Sequence, residues 1–340
     1  MKLHIKKNLI RLVVLLLIIY AGLWVFSFKK YDVELGISYS PQYARFLGLD
    51  SRETLDAILS DLQPSTIRLA VPWSETEATK GTYDFSEIDE MIKKVGDSGA
   101  RIILTIGQKV PRWPECFIPS WAGELSVDSK RAALLDYVGT TVNRYKDNPA
   151  IEFWQVENEP YIRFPFGNCE LFDEDSVQAE IDLVRKIDSS RDVILTDSGE
   201  LSSFRRPSFG GDILGTTLYR TIRISGGMVA YYDWLPPAYY KIKARIWGNS
   251  YKEFFVSELQ AEPWFLGDIP TTKQGFAKDT TFSNERFVQN IAYSKKVGAS
   301  RVYLWGAEWW YFMKKKVGDE SYWETAKTIF SSYPQDYLNP

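Results

Sequence analysis

The stretch of sequence that decides the fold is residues 66–106, TIRLAVPWSETEATKGTYDFSEIDEMIKKVGDSGARIILTI. Thr66 to Val71 and Arg101 to Ile106 are rich in apolar and β-branched residues, a composition that is typical of buried strands. Between them, Ser86 to Ser98 has apolar residues at helical spacing, and Gly99 suits a helix C-terminus. A strand, a helix and a second strand in this order predict a βαβ unit with parallel strands.

The same alternation continues along the chain on both sides of this unit. The predicted strands are 33–38, 66–71, 101–106, 151–158, 193–196, 213–219, 254–258 and 301–305. The predicted helices are 51–62, 86–98, 128–145, 173–188, 236–247, 283–297 and 321–330, and a further one near 200–209 is weak. Eight βα units predict a single α/β domain, a (β/α)8 TIM barrel at 33–332, with a tail at 333–340. A doubly wound sheet is the alternative.

The N-terminal region contains an apolar run, Leu12 to Phe28, that carries no charge. This run reaches the roughly 17 to 25 residues of a spanning helix and exceeds the about 7 to 15 residues of a signal-peptide core. Bulky residues at 23–26 provide no small-residue cleavage site. We therefore predict a transmembrane anchor at 12–28, with the lipid bilayer as a partner, and a cleaved signal peptide as the alternative. The more basic N-terminal side places 1–11 in the cytoplasm and the barrel outside it.

Composition excludes several kinds of chemistry. The only histidine, His4, precedes the apolar run, so the predicted barrel contains none. Ser-His-Asp triads and histidine-ligated metal sites both need imidazole and are therefore excluded. The net charge of −3 provides no broad basic surface, so no nucleic-acid partner is predicted. Catalysis must fall to carboxylates, Tyr, Lys or Cys, and no cofactor and no metal are predicted.

The two cysteines, Cys116 and Cys169, lie in loops that follow the third and fourth predicted strands. An even pair in an exported protein permits one disulfide without a free thiol. We predict this bridge because neighbouring strands bring their loops together. Two unrelated buried thiols are the alternative.

Two predicted strands end in a glutamate. The fourth ends in FWQVENEP, residues 153–160, and the seventh ends in FFVSELQ, residues 254–260. Active sites of (β/α)8 barrels lie at the C-terminal ends of the strands. Cleavage of a glycosidic bond needs one carboxyl to protonate the leaving oxygen and a second to attack or stabilise the anomeric carbon. Glu159 and Glu258 are therefore a candidate catalytic pair for an oligo- or polysaccharide substrate.

A strand ending in Asn-Glu-Pro, followed about a hundred residues later by a strand ending in Glu, resembles clan A of the glycoside hydrolases. The resemblance extends over residues 34–330 and includes Ile67-Arg68-Leu69 on the second strand. It implies a barrel enzyme that cleaves O-glycosidic, β linkages by double displacement with retention. The cellulase-like, β-xylosidase-like and β-galactosidase-like branches all fit. Strand histidines of many clan members are absent here, so the substrate does not transfer.

The resemblance also implies roles for individual residues. Glu159 resembles the acid/base, Glu258 the nucleophile, Asn158 the ligand of the sugar 2-hydroxyl, Arg68 the arginine beneath the nucleophile, Tyr219 its hydrogen-bond donor and Trp305 the sugar-stacking tryptophan. A structural ion pair for Arg68 and plain packing for Tyr219 and Trp305 are the alternatives. Glu157 is the rival acid, and Glu262 is the rival nucleophile.

Two other functions use the same scaffold. A carbohydrate-binding barrel would keep the cleft without turnover, but the presence of both strand-end glutamates favours an enzyme. A transglycosylase would use the same carboxylates and let a sugar hydroxyl, instead of water, intercept the covalent intermediate.

Overall fold

The computed structural model describes residues 2–112, 115–162, 174–224, 227–247, 251–265, 269–276, 279 and 281–332. Its strands are β1 (Glu34–Ser38), β2 (Thr66–Ala70), β3 (Arg101–Ile106), β4 (Ile151–Val156), β5 (Val193–Asp197), β6 (Ile213–Leu218), β7 (Thr221–Arg223), β8 (Val229–Tyr231), β9 (Glu253–Gln260) and β10 (Arg301–Trp305). All except β7 and β8 pair in parallel in one closed barrel. The eight predicted strands and the barrel are confirmed, and the doubly wound sheet is wrong.

Helices surround the barrel. They are α1 (Lys2–Phe26), α2 (Pro41–Phe46), α3 (Ser51–Ala57), α4 (Trp73–Thr76), α5 (Ser86–Asp97), α6 (Ser120–Gly123), α7 (Val127–Tyr145), α8 (Glu174–Ile187), α9 (Pro207–Gly210), α10 (Ala238–Ile246), α11 (Lys273–Phe276), α12 (Asn284–Val297), α13 (Ala307–Phe312) and α14 (Ser321–Ser331). The weak helix near 200–209 is reduced to the single turn α9. The antiparallel hairpin of β7 and β8 follows β6 and was not predicted from the sequence.

Local signals explain where the helices begin and end. The Asp50 carboxylate accepts the Glu53 N–H at the start of α3, and the Ser283 hydroxyl accepts the Arg286 N–H at the start of α12. Gly298 ends α12 at a φ of 86°, a left-handed conformation that glycine adopts without steric cost. These caps fix the lengths of the crossovers, and the crossovers carry the chain back to the start of each following strand.

The interior of the barrel is filled with large side chains. A layer of six, contributed by six strands, lies in the first half of each strand: Ile103, Phe153, Ile194, Ile213, Phe255 and Tyr303. Gly36 on β1 makes room for this layer, because a Cβ there would lie 2.6 Å from the Tyr303 ring. The layer closes the barrel below the strand ends, so any site inside it must open at the C-terminal mouth.

A charged network lies at the opposite, N-terminal end, which we call the base. Glu34, Arg101, Glu152 and Arg301 stand at the starts of β1, β3, β4 and β10. Arg101 donates to Glu152 at 2.7 Å and also pairs with Glu34, while Arg301 donates to Glu152 at 2.6 and 2.8 Å. Two cations therefore face two carboxylates in this base network.

Helix α1 stands apart from the barrel core. Lys6–Phe26 is long and apolar enough to cross a membrane, and none of its residues is fully buried. The helix begins well before the predicted span of 12–28, because the basic residues that precede the apolar run are helical as well.

Candidate active site

Glu159 lies just beyond the end of β4, where the chain makes a tight turn. Glu157 and Glu159 both have positive φ, 58° and 46°, in the left-handed region. Hydrogen bonds hold this strained backbone, because the Glu159 N–H donates to the Thr196 hydroxyl at 2.8 Å and Lys109 Nζ donates to the Glu159 carbonyl at 3.3 Å. The Thr217 hydroxyl donates to Glu159 Oε1 at 3.2 Å. The turn thereby aims the carboxyl into the mouth.

A β-bulge in β9 turns the Glu258 side chain toward the mouth. Thr216 and Thr217 on β6 are consecutive, but their partners on β9, Val256 and Glu258, are separated by Ser257. The register of β9 with β10 shifts in the same region. Side chains alternate along a strand, so Glu258 would otherwise face the opposite side from the inward-pointing Phe255; the extra residue turns it inward.

One cationic donor, Arg68, and one neutral donor, Tyr219, hold the Glu258 carboxyl. Arg68 Nη1 donates to Oε1 at 3.0 Å, and the Tyr219 hydroxyl donates to Oε2 at 3.0 Å. The other end of the same guanidinium donates to Asn158 Oδ1 at 2.8 Å and to Gln155 Oε1 at 2.7 Å. Arg68 therefore fixes the Glu258 carboxyl and the Asn158 amide in one buried array. Tyr219 keeps its proton, because burial and the Glu258 charge raise its pKa well above the usual value.

A cavity of about 240 Å³ opens between these side chains. Its lining includes the two predicted glutamates and four further residues with polar or aromatic groups, namely Glu115, Glu159, Glu200, Tyr219, Glu258 and Trp264. Asn158, Arg68 and Trp305 are not part of its lining, and Arg68 reaches it only through its hydrogen bond to Glu258. The structure thus brings Glu159, Glu258 and Tyr219 to one cavity at the mouth.

The surroundings of Glu159 favour its protonated form. Burial raises the pKa of Glu159 well above its usual value, and the nearby Glu258 and Glu115 carboxyls raise it further. A protonated carboxyl beside a second carboxyl that is anchored by Arg68 is the division of roles that acid-assisted cleavage requires.

Glu115 was missed in the sequence. It lies in the loop after β3 at a φ of 65°, its carboxyl is 3.3 Å from Lys109 Nζ, and it lines the cavity. Burial raises its pKa to about 7, although Lys109 opposes this shift. The loop has no periodic sequence pattern, and an isolated antiparallel β-bridge pairs the backbone of Lys109 with that of Cys116. Only the position of Glu115 after a barrel strand could have indicated its role.

The two rival carboxyls occupy structural positions outside the lining of this cavity. Glu157 accepts the backbone N–H groups of Gln108 and Lys109 at 2.9 and 2.7 Å, and burial raises its pKa to about 7. It lies beside the Glu180 carboxyl of α8, and the two backbone amides hold it in place. Glu262 forms an ion pair with the buried Arg112, which also binds Glu308 at 2.9 Å.

Trp305 lies behind this ion-pair cluster. The Arg112 guanidinium is 3.9 Å from the centroid of the Trp305 ring, and only 8% of Trp305 is exposed. Of the other tryptophans in strand-end loops, Trp264 lines the cavity, whereas Trp73, Trp309 and Trp310 are fully buried core residues. Trp264 therefore contributes to the aromatic wall of the cavity, and its ring packs edge-on against Tyr219 with centroids 5.2 Å apart.

Cys116 is disulfide-bonded. Cys169, the only other cysteine in the chain, lies outside the described residues, so its part in the predicted bridge stays a prediction. Within the described residues, no group of three or more His, Cys, Asp and Glu side chains could hold a metal ion.

A parallel barrel with paired carboxyls on one cavity at its mouth is the architecture of barrel glycosidases. Comparisons with known proteins point the same way. The chain is 27% identical over 145 residues to β-galactosidase Bga of Halorubrum lacusprofundi, an alignment that covers 37% of this chain and 20% of that protein. The chain thus spans about a fifth of the length of the curated relatives it matches. No family model matches the sequence.

Solved structures resemble the whole barrel. The polyextremophilic β-galactosidase from the Antarctic haloarchaeon Halorubrum lacusprofundi superposes with a TM-score of 0.60 at 17% identity, over 89% of this chain and 59% of that chain. A GH5_18 protein from Bifidobacterium longum subsp. infantis gives a TM-score of 0.61 at 12% identity, over 90% of this chain and 80% of that chain. The fold implied by the resemblance to clan A is confirmed, and the neighbours come from more than one branch of it.

Proposed function

We propose that this protein is a retaining glycoside hydrolase that cleaves β-linked glycans, with Glu159 as the acid/base and Glu258 as the nucleophile. The observation that carries the proposal is the contrast between the two carboxyls on one cavity. Burial and two neighbouring carboxyls favour the protonated form of Glu159, while Arg68 and Tyr219 both donate to Glu258. The similarity to β-galactosidases supports the assignment and makes a β-galactoside the first substrate to test.

In the first step, a Glu258 carboxylate oxygen attacks the anomeric carbon, and the bond from that carbon to the leaving oxygen breaks. Glu159 gives its proton to the leaving oxygen, which departs as a hydroxyl. The product is a glycosyl ester of Glu258. Tyr219 can remain bonded to the carboxyl during the attack, and Arg68 holds its other oxygen in place.

In the second step, Glu159 acts as a base. Esterification neutralises Glu258, and this removes one of the charges that raise the pKa of Glu159. Glu159 is then a carboxylate that takes a proton from water, and the water oxygen attacks the anomeric carbon. The ester bond breaks, Glu258 regains its carboxylate, and the sugar leaves with its original anomeric configuration.

Trapping of the intermediate tests this mechanism. A 2-fluoro aryl β-galactoside, or the matching aryl glycoside if another sugar is preferred in a panel, should inactivate the protein and leave the label on Glu258 in peptide mass spectrometry. Glu262→Gln should still be labelled, because Glu262 pairs with Arg112 away from the cavity. Label on Glu262, or an inverted anomer as the first product, would overturn the assignment. Products formed with an added acceptor sugar distinguish hydrolysis from transglycosylation.

We also propose that α1 anchors the protein in a membrane, with the barrel on the extracytoplasmic side and a cell-envelope or extracellular glycan as substrate. Exposure of nearly all residues of the apolar helix supports an anchor. Contacts of its last turns with the barrel argue against a cleaved signal peptide, because cleavage would remove them: the Ala238 N–H donates to the Ser27 hydroxyl at 3.0 Å. Protease treatment of intact cells should digest the barrel, and a protected barrel or a mature N-terminus near Phe28 would refute the anchor.

A further inference from the structure

The apolar helix α1 meets the barrel at the rim of its mouth. The Tyr20 hydroxyl donates to the Trp234 carbonyl at 2.6 Å, and Ser27 then contacts Ala238. Trp234 lies between the hairpin and α10, on the side where the barrel strands end. Helix α10 runs from the mouth toward the base, because it follows the β6 end and precedes the start of β9. Tyr20 is therefore level with the mouth.

After this contact, the chain runs toward the base. The Tyr31 ring lies 4.1 Å from Lys241 Nζ of α10, and the Tyr31 N–H donates to the carbonyl of Lys295 in the last turn of α12. The first strand then begins at Glu34, at the base. Residues 20–34 thus descend alongside α10 from mouth to base. The part of α1 that precedes Tyr20 therefore extends beyond the mouth, away from the base.

Exposed apolar side chains are concentrated on the same side. Between residues 32 and 332, ten large hydrophobic residues in the described part of the chain are exposed, and two of them, Ile242 and Ile246, lie on α10. The other eight lie in loops, in short helices, on strand β8 or in the first two turns of helices that begin on the mouth side. Four of these eight belong to the hairpin or adjoin it: Met228 and Trp234 are 62% and 58% exposed, and Ile224 and Tyr231 are each 41% exposed.

The depth of the anchor brings this rim to the lipid interface. The apolar span ends at Phe26, so the stretch from Tyr20 to Phe26 that packs beside Trp234 and Ala238 still belongs to the span. At 1.5 Å per residue this stretch covers about 9 Å, comparable with the roughly 5 to 10 Å to which interfacial helices are buried. Tyr20, Trp24 and Trp234 also supply the aromatic rings that concentrate at membrane–water interfaces.

The rim is continuous with the candidate active site. Ile222, Arg223 and Tyr232 of the hairpin region line the catalytic cavity. The centroids of the Tyr232 and Trp234 rings are 6.4 Å apart, and the Trp234 carbonyl accepts a hydrogen bond from Tyr20 of α1. One short stretch of chain thus connects the cavity wall to the membrane helix.

We propose that the mouth of the barrel faces the bilayer, with Ile224, Met228 and Trp234 seated among the lipid headgroups. The substrate is then a glycan that is attached to a lipid or lies at the membrane surface. This inference rests on the proposed glycosidase function and anchor, but the orientation of the barrel can be measured without turnover. The occupant of the apolar rim is the bilayer interface, because the rim adjoins the only described helix that can span a membrane.

Lipid quenching tests the orientation. Full-length Met228→Cys, labelled with an environment-sensitive fluorophore and reconstituted in phosphatidylcholine–phosphatidylglycerol vesicles, should be quenched strongly by lipids that are spin-labelled near the headgroup. The matched control is Asp147→Cys, at an exposed position between α7 and β4 at the base. Its label should be quenched several-fold less. Equal quenching at both positions, stronger quenching at the base, or protein that does not remain with the vesicles would overturn the proposal.

Tethered substrates test the substrate class. The same chromogenic β-glycoside is presented on a diacylglycerol through a short linker, through a long polyethylene glycol linker, and free in solution. A mouth that faces the bilayer should cleave the short-linker form at least as fast as the long-linker form. A mouth that faces away reaches only the long-linker form, since effective concentration vanishes when a linker cannot span the distance. Met228→Glu should lower the short-linker rate several-fold and leave the rate on free glycoside unchanged.

The two proposals fail in different ways. Absence of turnover on all three substrates, together with quenching at Met228, would reject the glycosidase and leave the orientation standing. Turnover of the free and long-linker substrates only would reject the orientation and leave the glycosidase standing.

Discussion

The two ends of the barrel both hold charged networks, and the networks are built on opposite principles. At the base, Arg101 and Arg301 face Glu34 and Glu152, so positive and negative charges are equal. The Glu34 pKa shows the result: burial alone would raise it, but Arg301, the Ser65 hydroxyl and Arg101 outweigh burial and hold it below the usual value.

At the mouth, carboxyls outnumber cations. Arg68 and Lys109 are the cations in contact with a cluster that contains Glu115, Glu157, Glu159 and Glu258. Burial raises the pKa of Glu115 and Glu157 to about 7, and it raises the pKa of Glu159 well above its usual value. The base network is suited to holding strands together. The mouth instead contains carboxyls whose raised pKa values favour the protonated form, and a reaction can use such protons.

The largest expected difference between the two ends is in activity. Glu258→Gln should remove turnover almost completely, by on the order of 10⁵-fold or more, because the amide cannot form the glycosyl ester. The fold should survive, because an amide oxygen can still accept from Arg68. The measurement is kcat/KM on an aryl β-glycoside alongside thermal unfolding. Activity within tenfold of the wild type in folded Glu258→Gln would remove Glu258 from the mechanism.

Glu159→Ala should have a smaller effect that depends on the leaving group. We expect a loss of roughly 10² to 10⁴ in rate on poor leaving groups, because they need the proton from Glu159, and a smaller loss on good ones. Azide should restore part of the rate and give a β-glycosyl azide, since this variant still forms the ester and lacks only the base. Glu157→Ala is the matched control. If the rate of Glu159→Ala fell equally on all leaving groups, this result would contradict the acid/base role of Glu159.

The contrast between the ends also explains what the sequence could predict. Barrel strands and the glutamates at two strand ends follow from short-range patterns, because alternation and strand termini are written in neighbouring residues. Glu115 did not follow, because its place depends on a loop with positive φ at Arg112 and Glu115. The inward turn of Glu258 depends on a bulge, and the covered position of Trp305 depends on Arg112. Such features arise from contacts between distant segments, for which a sequence has no local signal.

The base network should affect stability and leave catalysis intact. Glu152→Ala removes the partner shared by Arg101 and Arg301 and leaves both cations partly buried. We expect a loss of about 2 to 3 kcal/mol in the free energy of unfolding, between the values for exposed and for fully buried pairs. Denaturant unfolding of the full-length protein in detergent measures it. A change in kcat/KM of more than about twofold would mean that the ends are not independent.

The smallest effect is a pH dependence of opposite sign at the two ends. A carboxyl with a raised pKa in the folded state contributes stability that is complete below its unfolded pKa and is lost as pH rises through the folded pKa. The mouth carboxyls Glu115 and Glu157, with pKa values of about 7, should therefore lower the free energy of unfolding between about pH 5 and pH 8. Glu34, whose pKa is lowered, contributes stability above its unfolded pKa that is lost only as pH falls through the lower folded value.

Substitution at each end should change a different limb of the stability profile. Glu115→Gln should flatten the decline between about pH 5 and pH 8 by about 1 to 2 kcal/mol, because its neutral amide no longer has to ionise in a buried site. Glu34→Gln should leave that decline unchanged and weaken the dependence on pH only below about pH 5. Chemical denaturation at a series of pH values measures both. A wild-type profile that rises steadily from pH 5 to 8 would show that the mouth carboxyls are ionised in the folded protein, and Glu159 could not then be the resting acid.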